Sequence, residues 1–187
     1  MERCRKWFWQ GKSFARAREL AGKVDMIINS GGAAGSQTDH AARSIIGAGG
    51  DARPLRLALR PRKPIVVGRI GGCVVVALPG NPVAALVNFL LFARPAAMAL
   101  GGIEMRRPVG QPAIAASEMF AASGRTEFAP ANIVGHAENG LPVLRRLGKG
   151  GSARLNPLVA ADGLVEIPPP DGVSFLKFHA FCSAFSV

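Results

Sequence analysis

Apolar residues in the first half of the chain fall into short runs that stop at glycines or prolines. The run from Cys73 to Leu78 is continuously apolar and rich in valine, which is typical of a strand buried on both faces of a sheet. The runs 24–29 and 65–70 have a similar length, and the paired glycines 71–72 predict a hairpin turn before the run at Cys73. Alternating residues 55–60 predict one more strand with an exposed face.

Helical patterns connect these strands. Apolar residues near one face predict a helix from Ser13 to Gly22, and a cap at Thr38 or Asp39 predicts a second helix that ends near Gly47. A third helix begins at Pro82, because proline suits the first helical turn, and its pattern ends in a turn at 95–98. Strands that alternate with helices predict an α/β domain.

The second half of the chain has shorter predicted strands, separated by turn residues. Glycines and prolines between 101 and 112 mark a boundary, which we place near residue 106. Beyond it the pattern predicts a small all-β module of antiparallel strands at 114–120, 126–128, 132–134, 141–144, 163–167 and 174–178. The predicted organisation is an atypical basic N-terminus at 1–12, an α/β domain at 13–105 and a β-barrel domain at 106–187.

The net charge adds a preference for anionic ligands. Lys and Arg together number 23 against 12 acidic residues, so the formal net charge is +11. Such a chain attracts polyanions, which include nucleic acids, anionic membranes and phosphorylated ligands. The basic residues are spread along the chain and aromatic residues make up only 6%, so the sequence does not indicate a nucleic-acid surface.

The cysteines and the N-terminus indicate in which cellular compartment the protein is expected. Cys4, Cys73 and Cys182 lie far apart without metal-binding or redox spacing, which is typical of reduced thiols in a cytoplasmic protein. The first residues carry charge but no apolar signal-peptide core, and no stretch of about 18 uninterrupted apolar residues predicts a membrane span. We therefore expect a cytoplasmic protein.

Three loops at predicted strand ends are the candidate site. They contain Ser30-Gly31-Gly32 with Asp39 downstream, Arg60-Pro61-Arg62-Lys63-Pro64, and Leu78-Pro79-Gly80-Asn81-Pro82. In an open α/β sheet, ligands bind outside the carboxyl ends of the strands, where backbone amides at helix N-termini and a lysine can hold a phosphate. The alternative is that these glycines and prolines serve only as turns. The three histidines lack metal-ligand spacing, and the sequence contains no Walker A, Rossmann or serine-hydrolase motif.

Taken together, the three loops resemble the C-terminal half of the MoeA/gephyrin E-domain family, the molybdopterin molybdenumtransferases. That family carries a Ser-Gly-Gly loop ending in an aspartate, then Lys-Pro-Gly-Lys-Pro, then a strand followed by Gly-Leu-Pro-Gly-Asn-Pro-Val-Ser-Ala and a long helix. The same order is present here from about Leu20 to Gly102. The motifs around Arg125 and Ser152 resemble the small final β-barrel of the family.

The resemblance implies a fold and an activity. The fold would be a MogA/MoaB-like three-layer domain with a mainly parallel sheet, truncated at its start, followed by the barrel. The activity would be insertion of molybdate into adenylylated molybdopterin with release of AMP, assisted by Mg²⁺. The residues implied to bind the pterin nucleotide are Ser30, Gly31, Gly32, Lys63, Pro64, Pro79, Gly80, Asn81 and Pro82, and Asp39 would be the catalytic and metal-binding acid.

The chain also departs from the family pattern. It has no counterpart of the family's two further N-terminal domains or of its acidic Thr-Gly-Asp/Glu-Glu loop, and Arg62 replaces a glycine. These departures leave two alternatives beside the enzyme: a non-catalytic module that binds molybdopterin or assembles with another chain, and a degenerate remnant. The expected partners are the pterin nucleotide and either a second copy in a homodimer or a chain that supplies the missing domains.

Overall fold

The computed structural model describes residues 13–31, 39–57, 59–60, 64–103, 110–121, 125–148, 156–169 and 176–180. The first half contains, in order, α1 (Ser13–Ala21), β1 (Met26–Ser30), α2 (Asp39–Gly47), β2 (Asp51–Leu55), β3 (Leu59–Arg60), β4 (Ile65–Ile70), β5 (Cys73–Leu78), α3 (Pro82–Asn88), a π-helical turn (Phe89–Ala93) and α4 (Arg94–Leu100). The second half contains β6 (Gln111–Ala115), β7 (Thr126–His136), β8 (Pro142–Arg146), α5 (Asn156–Val159), β9 (Gly163–Ile167) and β10 (Leu176–Ala180).

Four strands of the first half form a sheet in the order β1-β5-β4-β2. Strand β1 runs parallel to β5, whereas β4 runs antiparallel to both β5 and β2. The predicted hairpin joins β4 to β5, with Gly71 at a φ of 59° in the turn. The α/β class is confirmed, but the sheet is mixed rather than mainly parallel, because a two-residue hairpin turn can join only antiparallel neighbours.

Helices cover both faces of this sheet. On one face Ala17 of α1 and Ile45 of α2 pack against Val66 and Val75. On the other face Ala93, in the π-helical turn, packs against Ile65 and Val76. Because β5 has apolar neighbours on both faces, nearly all of its residues are buried, as its continuous valine run predicts. The domain thus has the expected three layers.

The helix that begins at Pro82 continues to Leu100, so the predicted turn at 95–98 is wrong. The reason is the π-helical turn: the Arg94 N–H bonds to the Phe89 carbonyl, and Pro95 then lies in the first turn of α4, where a missing N–H costs nothing. This helix is long and apolar enough to cross a membrane by length and composition alone. Here its apolar residues pack against the sheet and the second half of the chain.

The predicted strand at 55–60 is divided in the structure. Strand β2 ends at Leu55, and Leu59–Arg60 forms β3, which pairs in parallel with β7 in the other sheet. Strand β2 is at the edge of its sheet, which accommodates Pro54. The chain therefore leaves the four-stranded sheet after Leu55 and returns to it at Ile65.

The second half forms a closed barrel. Strands β7, β8, β6, β10 and β9 are neighbours in that order, and β9 also pairs with β7, which closes the ring. The two strands predicted at 126–128 and 132–134 are one strand, β7, with an irregularity between Ile133 and Gly135 that lets it bend. The strand predicted at 114–120 lies at Gln111–Ala115, and its parallel pairing with β8 departs from the expected all-antiparallel module.

The two halves share an apolar cluster. Val83, Val87 and Leu90 of the long helix pack against Phe128 of β7 and Leu164 of β9. All five side chains are buried, and Leu59 of β3 packs against them. Each Å² of apolar surface removed from water stabilises the fold by about 25 cal/mol. This cluster therefore contributes substantially to the stability of the chain.

A hydrogen-bonded pair of glutamate and histidine in the barrel predicts how stability depends on pH. His179 Nε2 lies 2.9 Å from Oε2 of Glu166, and this hydrogen bond holds the pKa of the Glu166 carboxyl below its ordinary value of 4.5. A carboxyl with a lower pKa in the folded state stabilises the fold above its ordinary pKa, and this stabilisation is lost as the pH falls through the folded-state pKa. We expect the free energy of unfolding, measured with urea, to fall as the pH is lowered through this range.

The Glu166→Gln variant is the control for that prediction. It should unfold more readily than the unmodified chain near neutral pH, and its stability should change less on acidification because this carboxyl no longer titrates. If the free energies of unfolding of the two proteins changed with pH in the same way, the Glu166 carboxyl would not be the group responsible.

Candidate functional site

Two of the predicted loops lie side by side where β1 and β5 end. Ser30 of β1 is in register with Leu78 of β5, and the Gly31 N–H donates to the Leu78 carbonyl at 3.0 Å. The Ser30 hydroxyl donates to the Pro79 carbonyl at 3.3 Å. The parallel pairing of β1 with β5 therefore brings Ser30, Gly31, Pro79 and the residues that follow into one place.

Glycines allow these two loops to approach closely. Gly31 has a φ of 98°, in the left-handed region where residues with a Cβ are strained. A Cβ added to Gly80 would lie 3.5 Å from the Gly31 Cα, so the two backbones are already near contact distance. The two loops thus lie within van der Waals distance of each other beyond the strand ends.

The second loop leads directly into the long helix. Asn81 has an extended backbone conformation, and its side-chain oxygen accepts a hydrogen bond from the Ala84 N–H at 3.0 Å. Pro82 is the first helical residue, and the Ala85 N–H donates to the Asn81 carbonyl at 2.7 Å. This cap fixes the turn and places the positive end of the helix dipole beside Ser30 and Gly31.

The start of β4 lies at the same edge of the sheet. Strand β4 is antiparallel to β5 with Val66 opposite Ala77, so the start of β4 lies next to the end of β5. Pro64 directly precedes β4 and is partly buried there. We call this edge of the four-stranded sheet, where β1 and β5 end and β4 begins, the loop edge.

Of the remaining predicted residues, the structure describes Asp39 in part and Gly32 and Lys63 not at all. Asp39 is the first residue of α2, which follows the loop after β1, and the structure describes its backbone only. Gly32 and Lys63 lie outside the described residues. The structure therefore brings together Ser30, Gly31, Pro79, Gly80, Asn81 and Pro82, with Pro64 at the same edge.

Sequence reasoning missed Asn29 as a residue that shapes the site. Its side-chain amide donates to the Gly31 carbonyl at 3.2 Å and so folds the first loop back onto its own strand end. The signal was present, since asparagine commonly bonds to the backbone two residues further on and favours a turn there.

The described residues do not form a metal site by themselves. No group of three or more His, Cys, Asp or Glu side chains is close enough to hold a metal ion within the described ranges. Mg²⁺ usually takes one or two protein carboxylates and completes its shell with phosphate oxygens and water. Asp39 is the predicted carboxylate, but its described backbone alone does not establish a fit to the ion, so we derive no reaction step through Mg²⁺.

Other parts of the described chain offer weaker sites. Burial, followed by the nearby Asp25 carboxylate, raises the pKa of the free Cys73 thiol, which argues against Cys73 as a nucleophile. An open cleft lies at the opposite end of the sheet between Lys23, Met26 and Leu100.

The fold and the loop edge define the class of protein. Residues 12–99 match a family model described as "Probable molybdopterin binding domain". Residues 112–174 match a second model, "MoeA C-terminal region (domain IV)". The chain thus combines a molybdopterin-binding type of α/β domain with the barrel domain that accompanies it in MoeA proteins.

Comparisons with individual proteins point to the same family as the two family models. The chain is 34% identical over 151 residues to molybdopterin molybdenumtransferase 2 of Mycobacterium tuberculosis, which covers 78% of this chain and 36% of the relative. It is 31% identical over 118 residues to molybdopterin molybdenumtransferase of Haemophilus influenzae, covering 63% and 28% of the two chains. The structure of the molybdopterin biosynthesis MoeA protein from Pyrococcus horikosii matches with a TM-score of 0.63 and 26% identity, over 89% of this chain and 40% of that one. The chain belongs to the MoeA family and spans about a third of the length of these curated relatives.

Proposed function

We propose that this chain acts in molybdenum cofactor biosynthesis by binding adenylylated molybdopterin at the loop edge. Insertion of molybdate, with hydrolysis of the adenylate and release of AMP, would take place there. The observation that carries the proposal is the direct joining of the two loops, in which the Gly31 N–H bonds to the Leu78 carbonyl and the Ser30 hydroxyl to the Pro79 carbonyl. This contact brings two glycine loops and a helix N-terminus side by side, an arrangement that would suit an anionic ligand.

The proposed role of each group follows from its chemistry. The positive end of the dipole of the helix after Pro82 would attract phosphate oxygens, and the Lys63 ammonium would neutralise part of the phosphate charge. The glycines would let the ligand approach the backbone. A bound Mg²⁺ would offset negative charge on the phosphates, with Asp39 as its candidate protein ligand. The net charge of +11 favours capture of such an anion.

A second candidate function is a binding module without catalysis. One observation favours it: the chain spans about a third of the length of the curated relatives, and the activity that their names give belongs to the whole proteins. Because the chain spans only part of the length of its relatives, we propose that either a second copy or another chain supplies further groups to the site. The proposed setting is the cytoplasm, where molybdopterin nucleotides would be available to a reduced-thiol protein.

Release of AMP decides between the two functions. The purified chain is mixed with adenylylated molybdopterin, molybdate and Mg²⁺, and AMP is separated and measured by chromatography. We expect AMP release that depends on molybdate. Nucleotide binding without AMP release would contradict the enzyme and support the module, and a reaction without molybdate serves as the control.

A further inference from the structure

The two outer strands of the four-stranded sheet differ in how well they are protected. Strand β2 is one of them and carries Asp51, Arg53 and Pro54. Charged side chains and proline discourage an outer strand from pairing with another chain. Strand β1 is the other, and its sequence Met-Ile-Ile-Asn-Ser contains neither a charge nor a proline. Among the described residues no strand pairs with the outer side of β1, so this side can accept one.

The hydrogen bonds between β1 and β5 show which backbone groups face outward. The Asp25 carbonyl accepts from the Val74 N–H at 2.9 Å, and the Gly31 N–H donates to the Leu78 carbonyl at 3.0 Å. In a parallel pair the N–H and C=O of one residue point to the same side, and successive residues alternate. The odd-numbered residues from Asp25 to Gly31 therefore bond to β5. The outward groups belong to the even-numbered residues of β1, which are Met26, Ile28 and Ser30.

The side chain at the centre of β1 also favours pairing. Ile28 is 42% exposed, whereas nearly all residues of the neighbouring strand β5 are buried. Met26, two residues earlier on the same side of the strand, packs against the cluster that contains Val76 and Ala93. The apolar face of the sheet thus continues to Ile28 without being covered there by the described residues. A partner strand would remove this isoleucine from water.

The outward groups of β1 are arranged symmetrically about Ile28. If two β1 strands pair antiparallel and centred on that residue, Ile28 of one copy lies opposite Ile28 of the other, and Met26 lies opposite Ser30. Each of these pairs would exchange two backbone hydrogen bonds. No like charges face each other, which matters because two copies with a net charge of +11 repel each other and meet best where the surface is uncharged.

We propose that β1 is an interaction strand on which a second copy of this chain pairs, antiparallel and centred on Ile28, so that two four-stranded sheets become one sheet of eight strands. The occupant is a second copy because β1 is complementary to itself in hydrogen-bonding groups and in charge. Closed two-fold pairs are the commonest homo-oligomers, and pairing along an exposed strand is a recurrent way for proteins to associate. The inference does not depend on the proposed function, since it uses only the geometry of β1.

The pairing has a consequence for the candidate site. Because Ser30 of one copy would lie opposite Met26 of the other, the start of β1 in each copy would lie beside the loop edge of its partner. Residues of both copies would then border each candidate site.

Proline at position 28 tests the pairing without removing a bond to β5. Ile28→Pro deletes an N–H that points outward, and the opposite outer strand already accommodates Pro54. Sedimentation equilibrium should give a mass of about twice 19.5 kDa for the unmodified chain at high concentration, and 19.5 kDa for Ile28→Pro. Ile28→Val keeps the N–H and should dimerise like the unmodified chain. A dimer of Ile28→Pro, or a monomeric unmodified chain at every concentration, would overturn the inference.

A pair of lysine substitutions tests the same contact through charge. Ile28→Lys would place two ammonium groups opposite each other at the centre of the pair, where like charges are destabilising. Ile46→Lys is the matched control, because Ile46 is 57% exposed on α2, which lies over β2 and β4. The dissociation constant of the dimer should rise at least about tenfold in Ile28→Lys and stay unchanged in Ile46→Lys. Equal constants for the two variants would refute the pairing.

Cysteine cross-linking tests the register and stays decisive even if Ile28→Pro fails to fold. Across a hydrogen-bonded antiparallel pair the Cα atoms are about 5.5 Å apart, which a disulfide spans. In a background with Cys4→Ser and Cys182→Ser, Ile28→Cys should form a disulfide-linked dimer under mild oxidation. Ser30→Cys should not, since its counterpart lies four residues along the pair, roughly 13 Å away. Equal cross-linking of the two variants, or none of Ile28→Cys, would overturn the inference.

Discussion

Replacement of Lys63 by glutamate is expected to abolish binding of the pterin nucleotide. The change converts attraction to a phosphate into repulsion, and a pair of unit charges about 4 Å apart near a protein surface interacts by about 4 kcal/mol. Affinity should therefore fall by at least about a thousandfold, because each 1.4 kcal/mol corresponds to a factor of ten. Isothermal titration with adenylylated molybdopterin measures the change.

The matched control is Arg69→Glu, which makes the same change in net charge within the same domain. Arg69 is exposed near the end of β4, at the opposite edge of the sheet from the loop edge. Its reversal should alter affinity only slightly, since exposed charges more than about 10 Å apart are largely screened at moderate salt. Unchanged affinity in Lys63→Glu would mean that the nucleotide does not bind at the loop edge.

Gly68→Ala should cause the largest loss of stability among the changes considered. Gly68 lies on β4 opposite Ala52 of β2, and a Cβ there would meet the Asp51 carbonyl oxygen at 2.3 Å and the Ile45 side chain at 3.2 Å. Neither the backbone of β2 nor the buried Ile45 can move away freely, so we expect a loss of about 3 kcal/mol in the free energy of unfolding. Urea denaturation followed by circular dichroism provides the measurement.

Gly72→Ala provides the comparison, because it makes the same chemical change in the adjacent hairpin turn. No atom lies within 4 Å of a Cβ at Gly72, so its stability should stay within about 1 kcal/mol of the unmodified chain. Similar denaturation midpoints for the two variants would show that β2 does not approach β4 as closely as the structure has it.

Local signals in the sequence were sufficient for much of the α/β domain. The valine run of β5, the Gly71-Gly72 turn and the Asn81-Pro82 helix start each depend on residues within a few positions of one another, and the structure contains all three. The same holds for α1 and α2, whose ends agree with the prediction within one residue.

Features that depend on distant partners were not predictable in this way. Residues 55–60 alternate like a single strand, and only the position of β7 explains why Leu59–Arg60 joins the barrel instead. Pro95 normally signals the end of a helix, and a π-helical turn, which leaves no clear sequence pattern, carries the chain past it. Gly68 looks like any glycine in an apolar run until β2 is placed beside it.

The same difference between local signals and distant partners applies to the candidate site. The loops at Ser30 and Pro79 were identified from their glycines and prolines, and their contact in the structure follows from the parallel pairing of β1 with β5. In the barrel, the pairing of Glu127 with Arg60 joins residues far apart in the chain, and no local pattern contains that information.

The pairing of β3 with β7 also sets an order for events during synthesis. Leu59 and the helix residues Val83 and Val87 leave the ribosome before Phe128 and Leu164, the barrel residues that cover them. The apolar side of the long helix therefore stays in contact with water until much of the barrel has been made. If the first half were made alone, that surface would stay exposed to water, because the barrel residues that cover it would be absent.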